Sequence, residues 1–179
     1  MKKLLHLIIL LPVFFASFVL NAQQPGSDVY TDVALFKDSI LLNNCMVFID
    51  SNNNISPIET LEQKWIPLSA YKIKTHIPPD WITKRVYLKL HIANSSVAND
   101  SLYFLPGISF SSIKVFEVLS NNRLKQVNDQ SQSSGFQPLV ITANGKQPFI
   151  AELYFTKYLF SYLAPQLIKN GYLDKYKKM

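Results

Sequence analysis

Cysteine occurs once in this chain, at Cys45, and that scarcity removes two classes of protein. No intramolecular disulfide can form, and no thiolate zinc cluster can be assembled. Glycine is nearly as rare: five residues, none clustered, so there is no Gly-rich loop to cradle a phosphate. H-E-x-x-H, G-x-S-x-G and C-x-x-C are all absent. Histidine is thin as well, and beyond residue 22 only His76 and His91 remain. Glu59 and Glu62 lie close together, but nothing nearby raises a carboxylate pKa. Asp80, Asp100 and Asp129 sit in turn-forming contexts, where aspartate is favoured for backbone reasons. With no nucleophile–base pair and no ligand spacing, the expectation is a non-enzyme with no catalytic residues, no metal and no cofactor.

An excess of positive charge is present, but its location matters more than its size. The formal net charge is +6. Lys2 and Lys3 stand at the N-terminus, and residues 23–156 hold eleven basic and eleven acidic residues. The rest falls in the last stretch, where Lys157, Lys169, Lys175, Lys177 and Lys178 face only Asp174. A neutral body offers no electrostatic footprint for a phosphate backbone, so nucleic acid is excluded as a partner.

One long apolar run is present. Leu4 to Leu20 follows Lys2-Lys3 and is broken only by His6, Pro12 and Ser17, with Asn21-Ala22 before Gln23-Gln24. Residues 1–22 therefore read as a secretory signal peptide; the competing reading is an uncleaved anchor, for which the run is short. Either way the remainder is exported, to the periplasmic or extracellular side of the inner membrane. The expected division is a signal peptide at 1–22, a linker and N-terminal segment at 23–45, a β-sandwich at 46–156 and a basic C-terminal tail at 157–179. Lacking disulfides, such a domain must be held together by its core.

The body reads almost entirely as strands. Met46 to Asp50 is a short strand closed by Ser51-Asn52-Asn53-Asn54, and Val33 to Leu42 can hold a short strand or a turn of helix. Ser56-Pro57-Ile58-Glu59 is a capping-box pattern and predicts a helix from about Pro57 to Gln63. In Arg85 to Ala93 the residues Val86, Leu88, Leu90 and Ile92 share one face, and Arg85, Tyr87, Lys89 and His91 the other, as in a half-buried antiparallel strand. Further strands are predicted at 101–105, 113–119, 124–127, 138–142 and 148–155, with turns at Asn94–Asp100, Pro106-Gly107 and Ser120–Arg123. Asn144-Gly145 is a hairpin signal. Regular spacing of short strands predicts an all-β, jelly-roll-like antiparallel sandwich with one short helix.

Cys45, preceded by Asn44 and followed by the apolar Met46 to Ile49, reads as a small half-buried hydrophobe near a strand start rather than a reactive thiol. His91, on the polar face beside Lys89, is an exposed cross-strand partner or a contact for a sugar or metal. His76 lies in a loop before Ile77-Pro78-Pro79. The two indoles, Trp65 and Trp81, are the candidate ligand-binding residues, since exposed tryptophans stack on pyranose rings. A tryptophan at the start of a strand, as Trp81 is, serves more often as a core anchor.

The run Trp81, Tyr87-Leu88-Lys89-Leu90 and Ile92-Ala93-Asn94 resembles the tryptophan, strand and asparagine pattern of an exported sensor domain. That domain is the second type of extracellular domain on bacterial seven-transmembrane receptors with diverse intracellular signalling modules. Ile58 to Trp65 and Leu102 to Glu117 are similar too, so the resemblance spans about Val47 to Phe155. It implies a sandwich related to carbohydrate-binding modules, a small-molecule or saccharide ligand, and relay through seven helices to a cytoplasmic kinase or cyclase. It carries over no binding residues. Leu153 to Ile168 is apolar but holds Lys157 and Pro165 and is too short to span. A membrane is therefore expected as a partner only through a missing C-terminal region, and the chain as the input part of a truncated or interrupted receptor. The alternative is a secreted or surface carbohydrate-binding module or adhesin.

Overall fold

The computed structural model describes residues 28–73, 76–127, 135–156 and 161–177. The expected signal peptide, and residues 129–134 of the polar loop, lie outside them. The strands are β1 (Thr31–Asp32), β2 (Ser39–Leu41), β3 (Met46–Asp50), β4 (Ile66–Pro67), β5 (Arg85–Asn94), β6 (Asp100–Ile108), β7 (Phe110–Val118), β8 (Leu124–Gln126), β9 (Gln137–Ile141), β10 (Gly145–Phe155) and β11 (Tyr162–Lys169), followed by one helix, α1 (Leu173–Lys177). Two sheets form an all-β sandwich. The first runs β4-β3-β5-β10-β7-β8, the second β2-β11-β6-β9. All pairings are antiparallel except that of β1, which lies parallel to β5 beyond the end of β3. From β5 onward the chain passes back and forth between the sheets, except at the β7–β8 hairpin; this winding is jelly-roll-like.

Period-two alternation builds the core. Val86, Leu88, Leu90 and Ile92 of β5 are all buried, as expected, beside Phe149, Ala151 and Leu153 of β10. They belong to one cluster with Leu102 and Phe104 of β6, Leu139 and Ile141 of β9, and Leu163 and Leu167 of β11. Each such side chain, fully buried, contributes about 1.5–3 kcal/mol relative to exposure. Cys45, expected to be half-buried, is fully buried beside them.

Several expectations need correction. The segment read as a basic tail, 157–179, supplies β11, which lies between β2 and β6, and α1. Ile168 and Leu173 join Phe136, Tyr103, Leu105, Tyr172 and Tyr176 in a second cluster on the outer face of the second sheet. Lys169 is ion-paired to Asp100 rather than trailing in water. The N-terminal segment placed ahead of the sandwich, within 23–45, contributes β1 and β2, the latter inside the stretch Val33–Leu42 expected to hold a short strand or a turn of helix, so the sandwich extends past both ends of 46–156. The helix predicted at Pro57–Gln63 is a 3-10 turn, Glu59–Glu62. Its capping box is half formed. Glu59 accepts from the Ser56 N–H at 2.7 Å, but the serine hydroxyl donates to the same carboxylate oxygen at 2.6 Å instead of accepting from the Glu59 amide. Finally, Pro106 and Gly107 lie inside β6, and the chain turns at Ser109, whose φ is 68°.

Candidate functional site

The outer face of the first sheet carries the polar side of β5, and most of it is covered. At one end the chain after β3 folds across it. Asp50 accepts from the N–H groups of Asn52 and Ile55 at 3.2 and 2.8 Å, which turns residues 51–55 back over the sheet. There the Tyr87 hydroxyl donates to the Ile55 carbonyl at 2.6 Å, and Arg85 donates to the carbonyls of Ile55 and Asn53 at 2.7 and 2.9 Å. Burial pushes the Tyr87 hydroxyl well above the usual tyrosine pKa. Glu152, also buried, is reached by Lys114 at 3.3 Å. This network ties residues 53–55 across one end of the face.

The other end is concave. A cleft of about 320 Å³ opens between β5, the β3–β4 edge and the N-terminal segment, lined by Asp28, Val29, Asn44, Met46, Trp65, Pro67, Lys89 and His91. That volume falls at the small end of known ligand sites.

Local structure fixes the indole. Thr60, buried in the 3-10 turn, donates its hydroxyl to the Pro57 carbonyl at 2.6 Å. Its own carbonyl accepts from the Gln63 N–H at 3.1 Å and from Trp65 Nε1 at 2.9 Å. The ring also meets Phe48 edge-on, with centroids 6.1 Å apart, and Phe48 in turn stacks on Tyr87. Trp65 is half-buried, so it is held in place while keeping surface in the cleft.

The opposite side is tied down by polar contacts. Asn44 donates to the Val29 carbonyl at 2.6 Å and accepts from the Thr31 hydroxyl at 3.1 Å. His91 Nε2 lies 3.4 Å from Asp28 Oδ1, and Tyr30 leans against the imidazole at 5.1 Å. Lys146 stands over the Tyr30 ring at 5.4 Å. His91 is therefore not the exposed partner expected from alternation; only 5% of its side chain is exposed. Burial holds its pKa below the ordinary histidine value, against the opposing pull of Asp28. Lys89 is half-buried, and its ammonium has no hydrogen-bond or ion-pair partner among the described residues.

The structure separates the two candidate indoles. Trp65 lines the cleft; Trp81, 2% exposed, belongs to the core and meets Tyr71 edge-on at 4.8 Å. A ring so enclosed presents no face to a ligand. His76 is exposed and distant from the cleft lining. Asp28, Asn44 and Met46 are contributions the sequence did not single out. Their one signal is Asn44-Cys45-Met46 at a strand start, and nothing in it points toward Trp65.

A larger concavity, about 420 Å³, lies at the edge of the second sheet, lined by Leu41, Leu42, Leu68, Ile73 and residues 162–165 together with Asn43, Ser69 and Lys72. It has neither an indole nor a paired titratable group, and the Trp65 cleft combines both. Among the described residues no group of three or more His, Cys, Asp or Glu side chains is placed to hold a metal ion. No helix among them is long and apolar enough to cross a membrane.

Fold and cleft together define an antiparallel β-sandwich with an aromatic-walled site on the outer face of one sheet. No protein-family model matches the chain, and no curated protein matches it either.

Proposed function

We propose that this protein is an exported, non-catalytic binding module for a saccharide or a similar small polar ring, serving as the extracytoplasmic input domain of a signalling receptor. One observation carries the binding part. A half-buried tryptophan, fixed by its own hydrogen bond, shares a cleft with an unpaired lysine and a His–Asp pair. Sugars are bound by that combination, an aromatic face for the C–H surface of the ring and polar groups for its hydroxyls. The receptor part is supported by the resemblance of the Trp81–Asn94 strand and its flanks to the sensor domain of seven-transmembrane receptors.

Intrinsic fluorescence tests the binding part directly, because the chain's two indoles stand in different surroundings. Titrating the purified protein with a panel of glycans should change the emission, and Trp65→Ala should abolish both the change and the binding while the protein stays folded. Silence across a broad panel would sink the reading.

A second reading, a free secreted or surface carbohydrate-binding module or adhesin, is favoured by a different observation. The stretch expected to be a basic C-terminal tail folds into the sandwich as β11 and α1. Sequencing the gene's locus past codon 179 separates the two: hydrophobic spans in any frame support the receptor, and an unrelated gene directly following supports the free module.

A further inference from the structure

We propose that the Trp65 cleft is built for an acidic saccharide, whose carboxylate pairs with Lys89 while its ring lies on the indole of Trp65. This rests on the saccharide-binding reading above and specifies the class of sugar.

Lys89 carries the argument. It sits on β5 between β3 and β10, opposite Met46 on one side and Ile150 on the other, so its neighbours across the sheet are apolar. The residue is half-buried, and its ammonium has no partner among the described residues. A cation at the wall of a cleft with no counter-ion of its own is available to an anionic ligand. The charged groups closest to it along β5 are matched differently: His91 lies against Asp28 at 3.4 Å, and Arg85 donates to two backbone carbonyls. Asp28 is the one carboxylate lining the cleft, and it is already engaged by His91. Lys146, over the Tyr30 ring, adds a second positive charge nearby. Asp28 and Lys89 balance formally, but Lys89 is the charge in the cleft without a partner among the described residues, and it stands beside an aromatic wall.

A neutral sugar would use the indole and leave the ammonium unpaired. A small acyclic carboxylate would pair the ammonium and leave the indole wet. A uronic acid answers both, and a charge-assisted hydrogen bond in a partly enclosed site is among the stronger polar contacts available to a ligand.

Titration calorimetry of the purified protein with digalacturonate, with the matching neutral disaccharide and with acetate tests the proposal. Digalacturonate should bind most tightly and weaken as salt is raised. Lys89→Gln should lower its affinity about tenfold or more, the equivalent of one lost charge-assisted contact, and should lower that of the neutral sugar by far less. Lys89→Arg should retain most of the preference, which separates the loss of charge from a general disturbance of β5. Trp65→Ala should weaken both sugars. If the neutral disaccharide binds as tightly as the uronate and Lys89→Gln changes neither, the acidic-sugar inference fails while the saccharide reading survives. If acetate matches digalacturonate and Trp65→Ala has no effect, the site takes an anion, and both fall.

Discussion

Trp65 and Trp81 are the same residue type, each beside a proline, yet one lines a cleft and the other is enclosed by the core. Sequence context supports Trp81 as an anchor, because it opens a strongly alternating strand. Nothing local distinguishes Trp65, whose placement depends on the Thr60 carbonyl and on Phe48 of β3. His91 shows the limit of the same logic. Alternation correctly puts it on the face opposite Leu90, but reports nothing about what covers that face, and the cover comes from Asp28 and Tyr30, far away in sequence. Cys45 lies deeper than its context announces, since Asn44 precedes it and only the residues that follow are apolar. Its thiol is pushed up to about 12 by burial, so almost no thiolate exists at neutral pH. A thiol-specific reagent should therefore label the folded protein very slowly and the urea-unfolded protein at once. Rapid stoichiometric labelling without denaturant would contradict this placement.

Strands were easier to read than their partners. The alternation of β5 and the Ser120–Arg123 hairpin both stand in the sequence, because each is a local pattern. Asn144-Gly145 does form a tight turn, with Asn144 at φ 49° and the Gly145 N–H on the Thr142 carbonyl at 3.1 Å. The strands it joins lie in different sheets, β9 pairing with β6 and β10 with β5 and β7. Turn chemistry fixes the reversal of the chain, not which sheet receives it. β11 was hidden by Pro165 and by the lysines around it, Lys157 and Lys169, although residues 161, 163, 165 and 167 are all buried. Its pairing with β6 brings backbones unusually close at Gly107, whose φ is +147°. A Cβ there would stand 2.0 Å from the Tyr162 carbonyl oxygen. Gly107→Ala should therefore destabilise the protein by more than about 1 kcal/mol, read from the urea midpoint. An unchanged midpoint would mean that β11 does not dock against β6 in this way.

At the level of the whole molecule, the pH response follows from the cleft. His91 is held below the ordinary histidine value by burial, opposed by Asp28 and assisted by Lys89. At neutral pH the imidazole is uncharged in both folded and unfolded chains, and stability is unaffected. As pH falls through about 6.5 the unfolded chain takes up a proton that the folded chain resists, so stability declines. Asp32 and Glu59, whose carboxyls are lowered chiefly by hydrogen bonds from Ser95 and Ser56, lose their contributions only at more acid pH. Urea midpoints at pH 7.5 and 5.5 should thus fall in the native protein and converge in His91→Gln, provided the variant folds at pH 7.5. An equal fall in both proteins would assign the acid sensitivity elsewhere. Fold class was legible because it follows from the frequency of strands and turns. The cleft was not, because it joins residues from four separate stretches, 28–29, 44–46, 65–67 and 89–91.

β2 has a single neighbour in its sheet, β11, and the register places Leu41 beside Gln166. A ribosome releases the chain from its N-terminus, so β2 leaves the tunnel long before any partner for it has been made. Until residues 162–169 emerge, the second sheet lacks the strand that joins β2 to β6, and the core between the sheets stays open to water. Such a chain closes late and nearly all at once, since long-range pairing must await its distant half.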